Sequence, residues 1–135
     1  MINQSIVDTM LRTARQARSN AYVPHSCNAV GACVLTSDGT LYSGCTIEST
    51  SYGLSNCAER VALQKAISDG KQTFDGIAIV ADNYNEFIPC GACLQYLAEF
   101  NVPEIIISDL DGNVRTLSIE QILPYSQFLG ANAGD

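Results

Sequence analysis

Apolar residues recur with a helical period near the N-terminus and again in the middle of the chain. Within residues 3–19, Ile6, Met10 and Ala14 follow one another at intervals of four, and charged residues fill other positions. This spacing places the apolar side chains on one face of a helix. A similar pattern ends before Gly70, a typical helix-terminating residue. The predicted helices are residues 3–19, 56–69, 90–100 and, as a short piece, 119–123.

Shorter apolar runs between these segments are typical of strands. Ile77–Ala81 and Glu104–Asp109 are almost continuously apolar, as in strands buried on both faces of a sheet. Asp-Gly at the centre of residues 36–40 favours a hairpin turn, and a second Asp-Gly follows at 111–112. The predicted strands are residues 29–35, 41–47, 77–81, 104–109 and 114–117.

The order of these elements predicts the fold class. A helix and a β-hairpin come first, and strands then alternate with helices, which is the order of an α/β protein whose mixed sheet carries helices on both faces. The 135 residues fit one domain, residues 1–135, and no boundary is placed within it.

Charge and composition narrow the classes of ligand. The net charge is −7 and no basic cluster occurs, which argues against nucleic acid as a partner. The apolar runs are far shorter than the roughly 20 residues of a membrane span. The N-terminal segment does not resemble a secretion signal, so we expect a cytoplasmic protein with six reduced cysteines. Cys27, Cys33 and Cys45 are interpreted as small buried side chains.

Three cysteines carry the candidate chemistry. Cys90 and Cys93 form a Cys-x-x-Cys pair that opens one predicted helix, and Cys57 opens another. The α/β order allows the two helix starts to meet at one edge of the sheet, and the positive end of a helix stabilises thiolates. Three thiolates there would bind Zn²⁺. A redox pair is the weaker alternative, because it leaves Cys57 unexplained.

A structural zinc site needs a fourth protein ligand, and the chain offers no obvious one. Its single histidine, His25, lies in a distant loop-like segment. Three protein ligands with one open position are typical of catalytic zinc.

Two charged residues follow Cys57 directly. Glu59 is a candidate proton shuttle, or alternatively the partner of Asn56 in a helix capping box. Arg60 is a candidate donor to the sulfurs, drawing negative charge from them, or alternatively a helix residue facing solvent.

These motifs resemble the cytidine deaminase family in its small homotetrameric, three-cysteine form. Cys57-Ala58-Glu59 and Pro89-Cys90-Gly91-Ala92-Cys93 match the family's zinc pattern. The resemblance also includes AYVPHS…VGA at 21–32, GCTIEST-SYG at 44–53 and ILP…F near the C-terminus, and so covers almost the whole chain.

The resemblance implies a three-layer α/β/α sandwich with a five-stranded mixed sheet. It implies zinc-dependent hydrolytic deamination of cytidine or 2′-deoxycytidine, as in pyrimidine salvage. Glu59 would transfer protons, and backbone groups near Ala58 would read the base. Glu48 would bind the sugar, and Phe128 would reach a neighbouring subunit's site within a homotetramer.

The sequence departs from the family pattern at three positions, and the first two lie in the sugar-binding wall that the resemblance implies. Asn28 replaces a phenylalanine, Thr46 replaces the asparagine that pairs with Glu48, and Leu94 replaces an arginine. We therefore expect deamination with altered sugar selectivity. A deaminase of a modified nucleoside or of an antibiotic of the blasticidin S kind is an alternative. A non-catalytic zinc-stabilised binding module is another, and a polynucleotide-editing deaminase is a third, disfavoured by the acidic charge.

Overall fold

A five-stranded mixed sheet forms the centre of the computed structural model, which describes residues 1–82 and 87–124. The strand order is β2-β1-β3-β4-β5, and only β3 and β4 run parallel to each other. The strands are β1 Gly31–Thr36, β2 Leu41–Cys45, β3 Phe74–Val80, β4 Glu104–Ser108 and β5 Val114–Leu117.

Helices cover both faces of this sheet, which confirms the predicted α/β/α sandwich. Along β1, Ala32 and Val34 face the layer formed by the later helices, whereas Cys33 and Leu35 face the first helix. This alternation follows from the two-residue period of a strand. The helices are α1 Gln4–Arg18, α2 Ala58–Ser68, α3 Gly91–Glu99 and α4 Ile119–Ile122, and a 3₁₀ turn spans Tyr52–Leu54.

Two glycines let the helices lie directly on the sheet. A side chain at Gly31 would place its Cβ 1.9 Å from the carbonyl oxygen of Ala14 in α1. A side chain at Gly44 would place its Cβ 2.6 Å from the carbonyl oxygen of Ala58, the first residue of α2. Gly44 therefore fixes how closely the start of α2 approaches β2.

The ends of four strands gather at one edge of the sheet. Gly31 at the start of β1 pairs with Cys45 at the end of β2 and with Val80 at the end of β3. Val80 in turn pairs with Ser108 at the end of β4. The segments that lead into α2 and α3 leave from this edge, and so the two helix starts meet as predicted.

Some element boundaries differ from the prediction. β3 begins at Phe74 rather than at residue 77, because Asp75 and Gly76 interrupt the apolar pattern without ending the strand pairing. The 3₁₀ turn was not predicted. Within the described residues, the helices are too short or too polar to cross a bilayer.

The three cysteines outside the zinc pattern do not share one environment. Cys33 is buried, Cys45 is half-buried and Cys27 is exposed. The prediction of a buried Cys27 is wrong, because the residue lies in a surface loop with a left-handed φ of 59°.

Candidate metal centre

Three sulfur atoms meet where α2 and α3 begin. Cys57 and Cys90 are the N-caps of these helices, and Cys93 lies in the first turn of α3. The Sγ atoms of Cys57 and Cys90 are 3.7 Å apart, and those of Cys90 and Cys93 are 3.4 Å apart. Neither N-cap side chain makes a capping hydrogen bond, so both sulfurs remain available to the cluster.

The sulfur spacing fits a tetrahedral zinc ion. Zn–S bonds of about 2.3 Å at tetrahedral angles separate neighbouring sulfurs by about 3.8 Å. All three Sγ atoms lie within 4.8 Å of one another, and the separations of 3.7 and 3.4 Å need only a small expansion to place the sulfurs around the ion. Among residues 1–82 and 87–124, no fourth histidine, cysteine or carboxylate joins this group. The donor set therefore leaves one coordination position open.

Hydrogen bonding between the thiols perturbs their pKa values. The pKa of Cys57 is lowered, chiefly by the hydrogen bond with Cys93 and then by Arg60, despite partial burial. The same bond with Cys57, together with burial, raises the pKa of Cys93. The two directions mean that Cys57 loses its proton more readily than Cys93 does. A metal cation would replace the thiol protons, since zinc binds thiolates and releases their protons.

Glu59 is buried beside the cluster. It is the second residue of α2, and only 2 % of its surface is exposed. Burial raises the pKa of its carboxyl group to about 7, because removal from water disfavours the charged form. A carboxyl group with that pKa both accepts and donates protons near neutral pH.

The capping-box interpretation of Glu59 is wrong. The helix begins one residue later than that motif requires, with Cys57 rather than Asn56 as the N-cap, and no side chain caps it. Asn56 instead donates its amide hydrogen to Gln64 Oε1 at 2.7 Å. A capping bond therefore does not explain why Glu59 is buried.

Arg60 turns toward the sulfurs. Its Nη2 donates to Cys57 Sγ at 3.2 Å, and the side chain is partly buried. The solvent-facing alternative is therefore wrong. The hydrogen bond to the sulfur raises the pKa of Arg60, which keeps the guanidinium charged beside the thiolates.

The predicted sugar-side residues lie at the same sheet edge as the cysteines. Ile47, between Thr46 and Glu48, exchanges two backbone hydrogen bonds with Asn56, the residue before Cys57. Asn28 is half-buried in the loop that leads into β1. Ala58 is fully buried at the start of α2, and Phe128 lies outside the described residues.

Two features of this edge were not identified from the sequence. Ser26 links the loop before β1 to Glu48, donating its hydroxyl to Oε2 at 2.5 Å. Its only signal in the sequence was its place inside the 21–32 motif. Leu94, where the family has an arginine, packs in the core between the sheet and α3.

Comparisons with known proteins agree with this geometry. The family "Cytidine and deoxycytidylate deaminase zinc-binding region" matches residues 4–109. A cytidine deaminase of Sporosarcina psychrophila is 42% identical over 121 residues, covering 87% of this chain and 88% of that protein. The crystal structure of cytidine deaminase from Burkholderia pseudomallei superposes with a TM-score of 0.84 at 39% identity, covering 89% of this chain and 98% of that one.

A more distant relative carries a different name. The blasticidin-S deaminase of Bacillus cereus is 27% identical over 103 residues, which cover 70% of this chain and 74% of that protein.

Proposed function

Because the chain belongs to the cytidine and deoxycytidylate deaminase family, we propose that it hydrolyses cytidine and 2′-deoxycytidine at C4. Water is the second substrate, and the products are uridine or 2′-deoxyuridine and ammonia. The observation that carries the proposal is the buried carboxyl group of Glu59, two residues after Cys57 in a three-sulfur cluster. A binding module would gain nothing from a buried carboxyl group at that position.

Zinc and Glu59 would have different roles in the reaction. Cys57, Cys90 and Cys93 would hold a zinc ion, which would supply a Lewis acid that makes water nucleophilic near neutral pH. Glu59 accepts a proton from the attacking water and delivers it to ring N3. It then carries the remaining proton of the new C4 hydroxyl group to the amino group, which leaves as ammonia while C4 becomes a carbonyl. Its pKa of about 7 suits both steps. Backbone groups near Ala58 hold the amide-like edge of the ring.

Arg60 adjusts the charge of the cluster. Three thiolates around a divalent cation carry a net charge of −1, which opposes activation of water. The guanidinium hydrogen bond to Cys57 Sγ offsets part of this charge. Arg60 is therefore a positioning and charge-balancing residue, and it does not touch the substrate.

Asn28, Thr46 and Glu48 form the sugar side of the site in this proposal. All three lie at the sheet edge that carries the cysteines. Phe128 is assigned to stacking on the base in a neighbouring subunit, although it lies outside the described residues.

We further propose a homotetramer that works in the cytoplasm in pyrimidine salvage. Four large apolar side chains are exposed next to the site, on segments that include the bridge between Tyr22 and Ile47. They are Tyr22, Ile47, Tyr52 and Leu54. A second copy of the chain would cover them, since exposed apolar clusters mark interaction surfaces. Sedimentation equilibrium tests the assembly, and a monomer at micromolar concentration contradicts it.

A second candidate function is deamination of a modified cytosine nucleoside such as blasticidin S. The observation that favours it is the pair Asn28 and Thr46, which give the sugar side a different set of polar groups. Blasticidin-S deaminase is also among the relatives, at low identity. Turnover of blasticidin S that exceeds turnover of cytidine would support this candidate.

The test combines metal analysis with a substrate panel. We expect one zinc ion per chain, and ammonia release from cytidine and 2′-deoxycytidine in step with the loss of cytosine absorbance. Glu59→Gln separates an enzyme from a binding module, because only the enzyme has turnover to lose. A zinc-loaded protein that releases no ammonia from any cytosine nucleoside contradicts the proposal.

A further inference from the structure

The three cysteines of the cluster are held in different ways. Cys93 is buried in the first turn of α3, and Cys57 receives the hydrogen bond from Arg60. Cys90 is exposed, and its side chain makes no capping hydrogen bond. Apart from the start of α3 itself, the placement of Cys90 therefore depends on the segment that leads into it, residues 87–89.

This segment has few soft torsion angles. Pro89 is buried, and its ring fixes the φ angle of that residue. A residue before proline is restricted to extended backbone, and Ile88 holds that position. Cys90 is also extended, with φ −66° and ψ 164°. Because so little rotation is possible along the segment, a contact that fixes Phe87 also restricts the position of Cys90.

Two contacts hold Phe87. Its side chain is half-buried and packs against the core on the side of α2 and α3. Its carbonyl oxygen accepts a hydrogen bond from Nη2 of Arg115 at 2.8 Å. This bond joins residues 28 positions apart, and so it ties the strand β5 to the entrance of α3.

The strand pairing places Arg115 on the face of the sheet that carries α3. In the edge strand β5, Arg115 lies opposite Ile107 of β4. Opposite residues of an antiparallel pair project to the same face, and Ile107 belongs to the core on the side of α2 and α3. Arg115 is exposed, and no carboxylate among residues 1–82 and 87–124 forms an ion pair with it. Its guanidinium is used for a backbone contact instead.

We propose that Arg115 is a positioning residue for the metal centre, because it holds Phe87 and thereby places the sulfur of Cys90. The inference rests on the three-cysteine zinc site of the proposed function. It goes beyond that function by giving a role to a residue on the edge strand. The physical effect is preorganisation, since a segment that is already held in the zinc-free protein loses less freedom when Cys90 binds the ion.

The zinc affinity of three variants tests the proposal. Arg115→Leu removes the donor, and Arg115→Lys keeps a positive charge and an N–H donor. Arg12→Leu removes the same charge from the exposed side of α1 and is the matched control. Competition with a chelating dye measures the dissociation constant for zinc. We expect a rise of about fivefold in Arg115→Leu, as for the loss of one hydrogen bond, and less than about twofold in the other two variants.

High salt separates the hydrogen bond from a long-range effect of charge. At about 1 M salt the Debye length is about 3 Å, so the charge of an exposed arginine no longer acts on the cluster. The loss of affinity in Arg115→Leu should persist there. A loss that disappears at high salt would overturn the inference, as would an equal loss in Arg115→Lys or in Arg12→Leu.

Thermal unfolding gives a readout that does not depend on turnover. Arg115→Leu should lower the unfolding temperature of the zinc-loaded protein more than that of the zinc-free protein, because weaker binding stabilises the fold less. A contact that serves only the fold would lower both temperatures alike and leave the zinc affinity native. That result would overturn the inference.

The proposed function and the role of Arg115 fail in different ways. A native chain that binds no zinc, or that binds zinc and releases no ammonia from any cytosine nucleoside, refutes the proposed function. A native chain that binds zinc and is active, together with native zinc affinity in Arg115→Leu, refutes only the role of Arg115.

Discussion

Cys33 and Cys93 are both fully buried, yet they lie in regions of opposite chemical character. Cys33 points from the middle of β1 toward α1, among apolar side chains that include Met10 and Leu35. Burial raises its pKa to about 12, although the charge of Lys65 acts in the opposite direction. Cys93 lies in the first turn of α3, with a second sulfur 3.4 Å away. The comparison shows that two equally buried thiols differ in chemistry because only one of them has other sulfurs beside it.

The largest effect on zinc binding and turnover is expected when one of these two sulfurs is removed. Cys93→Ala removes one of three ligands, so we expect loss of bound zinc and of all measurable turnover. Cys33→Ala removes a sulfur of equal burial outside the cluster. It should keep full zinc content and lower the free energy of unfolding by about 1–3 kcal/mol.

Metal analysis and unfolding of both variants check this prediction. A Cys93→Ala protein that retains stoichiometric zinc would contradict the three-sulfur assignment, as would loss of zinc in Cys33→Ala.

Glu59→Gln should give the next largest effect. The amide fills the same volume but transfers no proton, so we expect kcat to fall by about 10²–10⁴-fold while zinc content stays the same. Glu99→Gln, an exposed residue at the end of α3, is the matched control and should keep native rates. Steady-state kinetics with cytidine measure the difference, and equal rates in the two variants would exclude Glu59 from proton transfer.

Arg60→Leu should have an intermediate effect. It removes the hydrogen bond to Cys57 Sγ, and loss of such a partner of a metal ligand typically costs about 10–100-fold in metal affinity or activity. Arg15→Leu deletes the same charge from the exposed side of α1 and serves as the control. Competition with a chelating dye measures the zinc affinity of the two variants. A similar small loss of zinc affinity in both would show that Arg60 acts only as a surface charge.

The smallest expected change concerns labelling of Cys33 as the pH rises. A thiol whose pKa is about 12 stays protonated at lower pH, so raising the pH from about 7 to about 9 should leave Cys33 unlabelled by iodoacetamide. Cys57, with its lowered pKa, should already react near pH 7 in zinc-free protein and be protected by zinc. Peptide mass spectrometry quantifies each site, and rapid labelling of Cys33 in folded protein would contradict its placement.

The residues that the sequence identified best are those fixed by local spacing. Cys-x-x-Cys at the start of a helix places Cys90 and Cys93 about one turn apart whatever the fold does. That Cys57 joins them depends on strand pairing between residues far apart in the chain. The alternation of strands and helices allowed the starts of α2 and α3 to lie together. The resemblance to the cytidine deaminase family made this arrangement expected.

Features decided by tertiary contacts could not be predicted. Asn56, Cys57 and Glu59 fit a capping box locally, but Cys57 is the N-cap and α2 begins at Ala58, because Asn56 is held in a backbone bridge with Ile47. Cys27 belongs to a residue type that is usually buried, and only the turn before β1 places it outside. The bond from Ser26 to Glu48 joins segments 22 residues apart, a pairing that no local pattern encodes.

X-ray absorption at the zinc edge of the zinc-loaded protein tests the central claim most directly. The account predicts three sulfur scatterers per zinc at about 2.3 Å and one lighter scatterer, from oxygen, in the remaining position. Four sulfur scatterers would mean that another cysteine closes the site, and two sulfurs with additional nitrogen would mean that the three-cysteine cluster does not hold the metal. Either result would contradict a catalytic centre built on Cys57, Cys90 and Cys93.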